Sequence, residues 1–155
     1  MPAWRWPFPQ DQWYSPDRSH GFRQTAPVLP LLPYESLGLK KVLKLYANRV
    51  SSRVLKAGQS VGYGGAFTAK YDMNIATYDL GYGDGLFRYN GKGELNLANG
   101  EPILGKMSMD SFSSTDMGDR VCVMDDANVW AEFFDTINYD ILVKLSPLIN
   151  RRVVE

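Results

Sequence analysis

The alternation of apolar and polar residues between residue 34 and the C terminus predicts a chain of short strands. Residues 49–56 are rich in β-branched and polar side chains, and residues 73–80 alternate between the two classes. Shorter candidate strands follow at three places, separated by glycine turns: residues 94–98, 102–106 and 120–124. This spacing predicts a mainly β fold, a compact antiparallel β-sandwich or barrel-like domain.

The last thirty residues carry a different period. Val129 and Phe133, and then Ile141 and Leu145, recur at helical spacing, which predicts one or two short C-terminal helices within residues 126–136 and 139–145. A final strand is expected at residues 151–154, where apolar and basic residues are mixed.

Residues 1–33 stand apart from this pattern. They hold all but two of the nine prolines and three of the four tryptophans, with neither a helical nor a strand period. We interpret them as an irregular leader, disordered or not native coding sequence, with a proline-rich docking arm as the alternative. No basic stretch followed by an apolar run marks a secretory signal. The β domain is expected over residues 34–155.

Composition excludes several classes of function. The 155 residues suit one domain, and the 17 basic and 17 acidic residues balance, so charge gives no reason to expect a nucleic acid partner. No apolar run approaches the ~20 residues of a membrane span. Cys122 is the only cysteine and His20 the only histidine. An internal disulfide, a multi-cysteine zinc site and a histidine-based catalytic triad are therefore not expected, and no metal site is predicted.

Candidate chemistry lies in three short segments that combine glycine or small residues with aromatic, thioether or carboxylate side chains: Val61–Phe67, Gly81–Gly85 and Met107–Asp110. Glycine permits tight turns and lets a ligand approach the backbone. Each segment also has an ordinary structural interpretation. Tyr63 can pack at a strand end, Asp84-Gly85 can form a hairpin tip with Arg88 as ion-pair partner, and Asp110 can cap a turn.

Taken in order, the three segments resemble the C-terminal domain of alanine racemases, the pyridoxal-phosphate enzymes that interconvert L- and D-alanine for peptidoglycan. The matching stretches are Val61-Gly62-Tyr63-Gly64, Gly81-Tyr82-Gly83-Asp84-Gly85 with Arg88, and Gly105-Lys106-Met107-Ser108-Met109-Asp110. Further matches are Gly118-Asp119-Arg120-Val121, Thr136-Ile137-Asn138-Tyr139-Asp140 and Arg151-Arg152-Val153-Val154. The resemblance covers residues from about 39 to the last.

The resemblance implies a role for each matching residue. Tyr63 would be a catalytic base in a two-base mechanism, opposite a lysine that belongs to the family's barrel domain. The Met109 backbone amide would hold the substrate carboxylate, Asp110 would order that loop, and Tyr82 would stand at the substrate entrance. Tyr139 would hydrogen-bond the phosphate of the cofactor. Tyr63, Tyr82 and Met109 would act in trans, on the active site of the partner subunit of a head-to-tail homodimer in the cytoplasm.

The family's N-terminal barrel, which carries the Schiff-base lysine for pyridoxal 5′-phosphate, has no counterpart in this sequence, and such a barrel takes on the order of 200 residues or more. We therefore expect no racemase activity from the chain alone. A separately encoded barrel that docks onto this domain is one alternative. A stand-alone β module for binding or structure that has lost the chemistry is another. The third is a racemase of other amino-acid specificity in the same family.

Overall fold

The computed structural model describes residue 41 and residues 43–153. Within them, six strands and two short helices follow one another in the order β1 to β6, α1, α2: Leu45–Leu55, Ser60–Val61, Phe67–Thr68, Met73–Tyr78, Phe112–Thr115, Arg120–Met124, Ala127–Phe133 and Asn138–Lys144. The predicted mainly β fold with one or two short C-terminal helices is confirmed, and the structure has two. No helix in this part of the chain is long and apolar enough to cross a membrane.

The main sheet has four antiparallel strands in the order β5-β4-β1-β6, and it curls into a half-barrel. The long strand β1 is shared: its first half pairs with β6 and its second half with β4. A register shift between Arg49 and Ser51 marks a bulge there, which is where an extra residue bends a strand and increases its twist. β2 and β3 form a separate two-stranded ribbon.

The core lies on one face of the half-barrel and beneath α1. Its largest fully buried side chains include Tyr78, Phe112 and Trp130, and the Tyr78 and Phe112 rings stack with centroids 5.5 Å apart. The buried Tyr78 hydroxyl accepts a hydrogen bond from the Met117 N–H at 3.0 Å, so burial leaves it satisfied. A smaller cluster forms around Leu55, packed on the other side of the sheet with residues such as Leu104.

Two predicted strands are wrong. Residues 94–98 and 102–106 lie side by side, but they share only the isolated bridge between Asn96 and Pro102. The reason is visible at Ile103 and Leu104. Ile103 N–H donates to Leu95 O at 2.9 Å, but Gly105 takes a positive φ of 72°, outside the strand region, so the pairing with residues 94–98 ends after one bridge. Leu104 instead donates its N–H to Ser113 O at 2.7 Å.

Two further expectations about strands fail. Residues 151–153 form no strand, and Val153 is 94% exposed, so its apolar side chain finds no packing surface among the described residues. Residue 154 and the leader over residues 1–33 lie outside the described residues. Conversely β5, Phe112-Ser113-Ser114-Thr115, was not expected, because serine has a low strand propensity. Ser114 is accommodated because its hydroxyl donates to Pro102 O at 2.7 Å in the core.

Candidate functional site

The first segment places Tyr63 on a surface turn that only glycine neighbours permit. Tyr63–Gly65 form a single 3-10 turn after Gly62, whose φ is 82°. A Cβ on Gly62 would lie 2.8 Å from Lys106 N, and a Cβ on Gly105 would lie 2.7 Å from Val61 O. The two backbones are therefore in direct contact. The Tyr63 side chain is left 67% exposed, so the structural interpretation, packing at a strand end, is wrong.

The second segment also forms a 3-10 turn, Tyr82–Asp84, not the tip of a hairpin. It lies between β4 and β5, and the long excursion that separates those strands rules out a tight hairpin connection here. The Asp84 carboxylate accepts a hydrogen bond from Gly81 N–H at 2.9 Å, and Gly85 ends the turn in the left-handed conformation at φ 96°. Arg88 lies 5.4 Å from the Tyr82 ring centroid, a cation–π distance, and pairs with that ring, not with Asp84.

The third segment is bound to the second through its backbone. Tyr82 N–H donates to Ser108 O at 3.2 Å, and Gly83 N–H donates to Met109 O at 2.7 Å. A Cβ on Gly81 would lie 2.4 Å from Met109 O, so glycine is required for this approach. The structure thus brings Tyr82 and Met109 together.

A network of hydroxyl groups orders the residues around Asp110. The Ser108 hydroxyl donates to the Asp110 carboxylate at 2.8 Å, and Ser111 N–H donates to the Ser108 hydroxyl at 3.0 Å. The hydrogen bond from Ser108 is the main cause that lowers the pKa of Asp110 below its ordinary value. The Met109 side chain between these serines is 60% exposed. Asp110 therefore fixes the shape of the loop and leaves Met109 at the surface.

Tyr63 and two serines of the Met109 loop, Ser108 and Ser111, border one open groove, whereas Met109 and Asp110 are not among its lining residues. Its lining is mostly hydroxyl-bearing, with one lysine: Gly62, Tyr63, Thr77, Lys106, Ser108, Ser111, Phe112 and Ser113. Thr77 and Ser113 are register partners on neighbouring strands, so the sheet supplies the floor of the groove. Sequence reasoning missed Thr77, Lys106 and Ser113 as lining residues. The polar position of Thr77 within an alternating strand was the available signal, but Ser113 belongs to the strand that was not predicted.

Tyr139 is not among the residues that line this groove. It lies in the first turn of α2 and is 69% exposed. The other end of α2 touches the second segment, since Ser146 N–H donates to Asp84 O at 2.9 Å. Of the site residues predicted from the sequence, Tyr63 alone lines the groove. They fall into two groups, Tyr63 with the adjoining Tyr82 turn and Met109-Asp110 loop, and the exposed Tyr139.

The remaining titratable candidates contribute no site. Cys122 lies in β6, as predicted, and partial burial raises the pKa of its thiol, which disfavours the reactive thiolate. Among the described residues no cluster of histidine, cysteine and carboxylate side chains is arranged to hold a metal ion. His20 lies outside the described part of the chain.

Comparison with solved structures identifies the class of protein that has this fold. The chain is similar to alanine racemase from Pseudomonas aeruginosa, with a TM-score of 0.68 and 29% identity over 82% of this chain and 39% of that one. It is also similar to the Bartonella henselae alanine racemase that was solved with covalently bound pyridoxal phosphate, with a TM-score of 0.63 and 29% identity over 72% of this chain and 34% of that one. The fold is that of one domain of an isomerase.

Sequence comparison gives the family. The family profile described as alanine racemase, C-terminal domain, matches residues 42–153. Identity is 74% to the alanine racemase of Campylobacter concisus over 77% of this chain, and 40% to that of Nitratiruptor over 79% of it. The chain belongs to the alanine racemase family and corresponds to its C-terminal domain. It spans about a third of the length of these relatives, 35% in both cases.

Proposed function

We propose that this chain is the part of an alanine racemase that supplies Tyr63 to an active site completed by a barrel domain. The observation that carries the proposal is the joint placement of Tyr63 and the loop that contains Met109 on one groove. The tyrosine is exposed, the loop is held by backbone hydrogen bonds, and both come from segments that match the family.

The Met109 N–H is suited to bind a carboxylate. All described peptide bonds are trans, and in a trans peptide the C=O and the following N–H point in opposite directions. Because Ser108 O accepts from the Tyr82 turn, the Met109 N–H is directed away from that turn. No described residue accepts a hydrogen bond from it. A free, fixed N–H donor beside a groove can bind the carboxylate of an amino acid at little entropic cost.

In the proposed reaction Tyr63 transfers a proton at one face of the substrate's α-carbon, and a lysine of the barrel acts at the opposite face. Inversion follows when one group removes the α-proton and the other returns a proton from the far side. Tyr63 acts on the active site of the partner subunit, in a head-to-tail homodimer, as the resemblance implies. Tyr82 lines the substrate entrance, with its ring held by Arg88 at 5.4 Å.

The residues present fit one contact with pyridoxal phosphate. Tyr139 is an exposed phenol in the first turn of α2, and its hydroxyl makes no hydrogen bond to another described residue. Its hydroxyl can therefore donate to a phosphate oxygen. When bound, pyridoxal phosphate draws electron density away from the substrate's α-carbon and makes its proton more acidic. The remaining contacts to the cofactor are assigned to the barrel, so the chain alone is proposed to be inactive.

Reconstitution tests the proposal. The full chain is mixed with pyridoxal phosphate, L-alanine and the separately expressed barrel domain of the Campylobacter concisus relative, and D-alanine is measured. We expect activity only in the complete mixture, and Tyr63→Phe should lower it by a factor of about 10² to 10⁴, since the phenol that transfers the proton is gone. Tyr71→Phe is the matched control, because Tyr71 is equally exposed at 67% and lies outside the groove.

Two results would contradict the proposal. Sustained formation of D-alanine by the chain without a barrel would show that the barrel is not required. Equal activity of the Tyr63→Phe and Tyr71→Phe variants in the complete mixture would show that the tyrosine has no part in the chemistry. In parallel assays, serine or lysine is supplied as the substrate instead of alanine. Comparing the three rates decides the specificity within the family.

A further inference from the structure

We propose that the C-terminal end of α2 positions the Met109 N–H, and that it does so through the Tyr82 turn. We call the contact between Asp84-Gly85 and Lys144–Ser146 the α2 latch. The inference rests on the proposed function for the role of Met109. Its physical basis, a chain of backbone contacts from the helix to the loop, stands on the structure alone.

The α2 latch joins the C-terminal end of α2 to the Tyr82 turn. Gly85 lies so close to the end of α2 that a Cβ on it would be 1.8 Å from Lys144 O. Ser146 N–H donates to Asp84 O at 2.9 Å, which joins the second residue after the helix to the last residue of the turn. Lys144 Nζ lies 4.0 Å from the ring centroid of Phe87, just beyond the turn. The helix end therefore touches the turn through backbone and side chain together.

Two backbone hydrogen bonds join the Tyr82 turn to the loop that contains Met109. The same turn donates Tyr82 N–H to Ser108 O and Gly83 N–H to Met109 O, at 3.2 and 2.7 Å. These two bonds fix both peptide units that flank Met109, and with them the direction of the Met109 N–H. Met109 itself is exposed and lies in no strand or helix, and besides these two bonds the loop is held by the Ser108, Asp110 and Ser111 hydrogen bonds on either side of it. The turn binds the two carbonyl groups that flank this donor, so a displacement of the turn changes the direction of the Met109 N–H.

The consequence is a link between the two groups of site residues. α2 carries Tyr139 in its first turn and the latch at its last residue. The helix therefore joins the residue proposed to contact the cofactor phosphate to the loop proposed to contact the substrate carboxylate. Asp84, Gly85 and Ser146 are positioning residues in this scheme, since none of them is proposed to touch the substrate.

Hydrogen exchange on the full chain tests the latch without any enzymatic activity. Ser146→Pro removes the N–H that binds Asp84 O, whereas Ser146→Ala keeps it and serves as the matched control. A second pair is Gly85→Ala, which meets Lys144 O, and Gly100→Ala, which has a similar φ of 87° but nothing within 4 Å. Exchange rates are measured at the Tyr82 and Gly83 amides and, for reference, at the amides of β1 and β4.

In Ser146→Pro and Gly85→Ala the Tyr82 and Gly83 amides should exchange about tenfold faster or more, because losing one hydrogen bond or contact lowers the local opening free energy. The amides of β1 and β4 should keep their rates, and both control variants should match the original chain. Unchanged rates at Tyr82 and Gly83, or an equal rise throughout β1 and β4, would overturn the inference, the latter by showing a general loss of stability.

The kinetic readout separates positioning from folding. In the reconstituted mixture, Ser146→Pro should raise the KM for alanine and the inhibition constant of propionate about tenfold, with a smaller change in kcat, since the carboxylate contact weakens while Tyr63 is untouched. If Ser146→Pro and Ser146→Ala change kcat and KM to the same extent, the inference is overturned. If the unmodified chain shows no activity with any barrel, the proposed function fails, whereas the exchange experiment still decides the latch.

Discussion

At the scale of single residues, the site depends on glycines whose missing side chains allow two backbones to touch. Gly62 and Gly105 face each other across the contact between the first and third segments, and both have positive φ values, 82° and 72°. This contact holds the Tyr63 turn against the segment that leads to Met109. A side chain at either position must push the two segments apart.

Gly105→Ala should therefore destabilise the domain by about 2–4 kcal/mol, the sum of left-handed backbone strain and of overpacking against Val61 O at 2.7 Å. Gly58→Ala is the control. Its φ of 83° imposes the same strain, but a Cβ there meets nothing within 4 Å, so only about 1–2 kcal/mol should be lost. Urea unfolding measures both. Equal losses in the two variants would mean that the close contact is not sterically tight.

Asp110 gives the loop a pH dependence of defined sign. Its pKa is lowered in the folded chain, chiefly by the Ser108 hydroxyl, so the ionised carboxylate stabilises the loop above its ordinary pKa of about 4. That contribution is lost as pH falls through the lowered folded value. The amide resonances of Ser108 and Ser111 should therefore shift below about pH 4. In Asp110→Asn, which still accepts hydrogen bonds, this acid-dependent shift should disappear; its persistence would assign the transition to another carboxylate.

The sequence was most informative about these residues and least about their surroundings. Tyr63, Tyr82 and Met109 stand in short motifs where glycine is required, so their order alone indicated a shared site. Lys106 and Ser113 carry no such local signal, because only the pairing of β4 with β5 brings Ser113 beside Thr77. The lining of this groove depends on which strands pair and in which register. It therefore cannot be predicted from local sequence when the residues are far apart in the chain.

At the scale of elements, the helices and the longer strands were predictable, and segments whose backbone partners are set by tertiary contacts were not. β4 buries side chains on both faces, Ile75 in the smaller cluster and Ala76 in the main core, and the two helices bury Trp130 and Ile141. Residues 102–106 resemble a strand in composition, but Ile103 and Leu104 donate to different segments and Gly105 is left-handed, so no ladder forms with residues 94–98. The missed strand β5 is stabilised by tertiary contacts, such as Ser114 to Pro102 O.

The start of α1 offers a test of an individual element. Asp126 caps the helix by accepting the Asn128 N–H at 2.9 Å, and it also pairs with Lys41 at 2.8 Å. Asp126→Ala should cost about 1 kcal/mol of unfolding free energy, because helix α1 loses its N-cap acceptor and holds the buried Trp130 less firmly. Asp126→Asn keeps a capping oxygen and should lose much less. Thermal and urea unfolding of both variants decide; identical losses would assign the effect to the ion pair.

At the scale of the whole molecule, several large apolar side chains near α2 are exposed. Ile137, Val143 and Leu148 are 66%, 71% and 90% exposed. Ile137 lies just before the helix that carries Tyr139 in its first turn. If Tyr139 contacts a cofactor held by the barrel, this end of α2 must face the barrel as well. A stable interface of this kind buries more than about 1,000 Å².

The chain alone should therefore bind a hydrophobic dye such as ANS, and adding the barrel domain should displace it. Ile137→Lys should weaken the complex about tenfold or more, since a lysine ammonium would be desolvated at the contact. Val50→Lys is the control, because Val50 is equally exposed at 66% but lies on β1. Titration calorimetry with the barrel domain measures both affinities. If Val50→Lys weakens binding and Ile137→Lys does not, the barrel docks against the sheet, and Tyr139 then faces solvent instead of the cofactor.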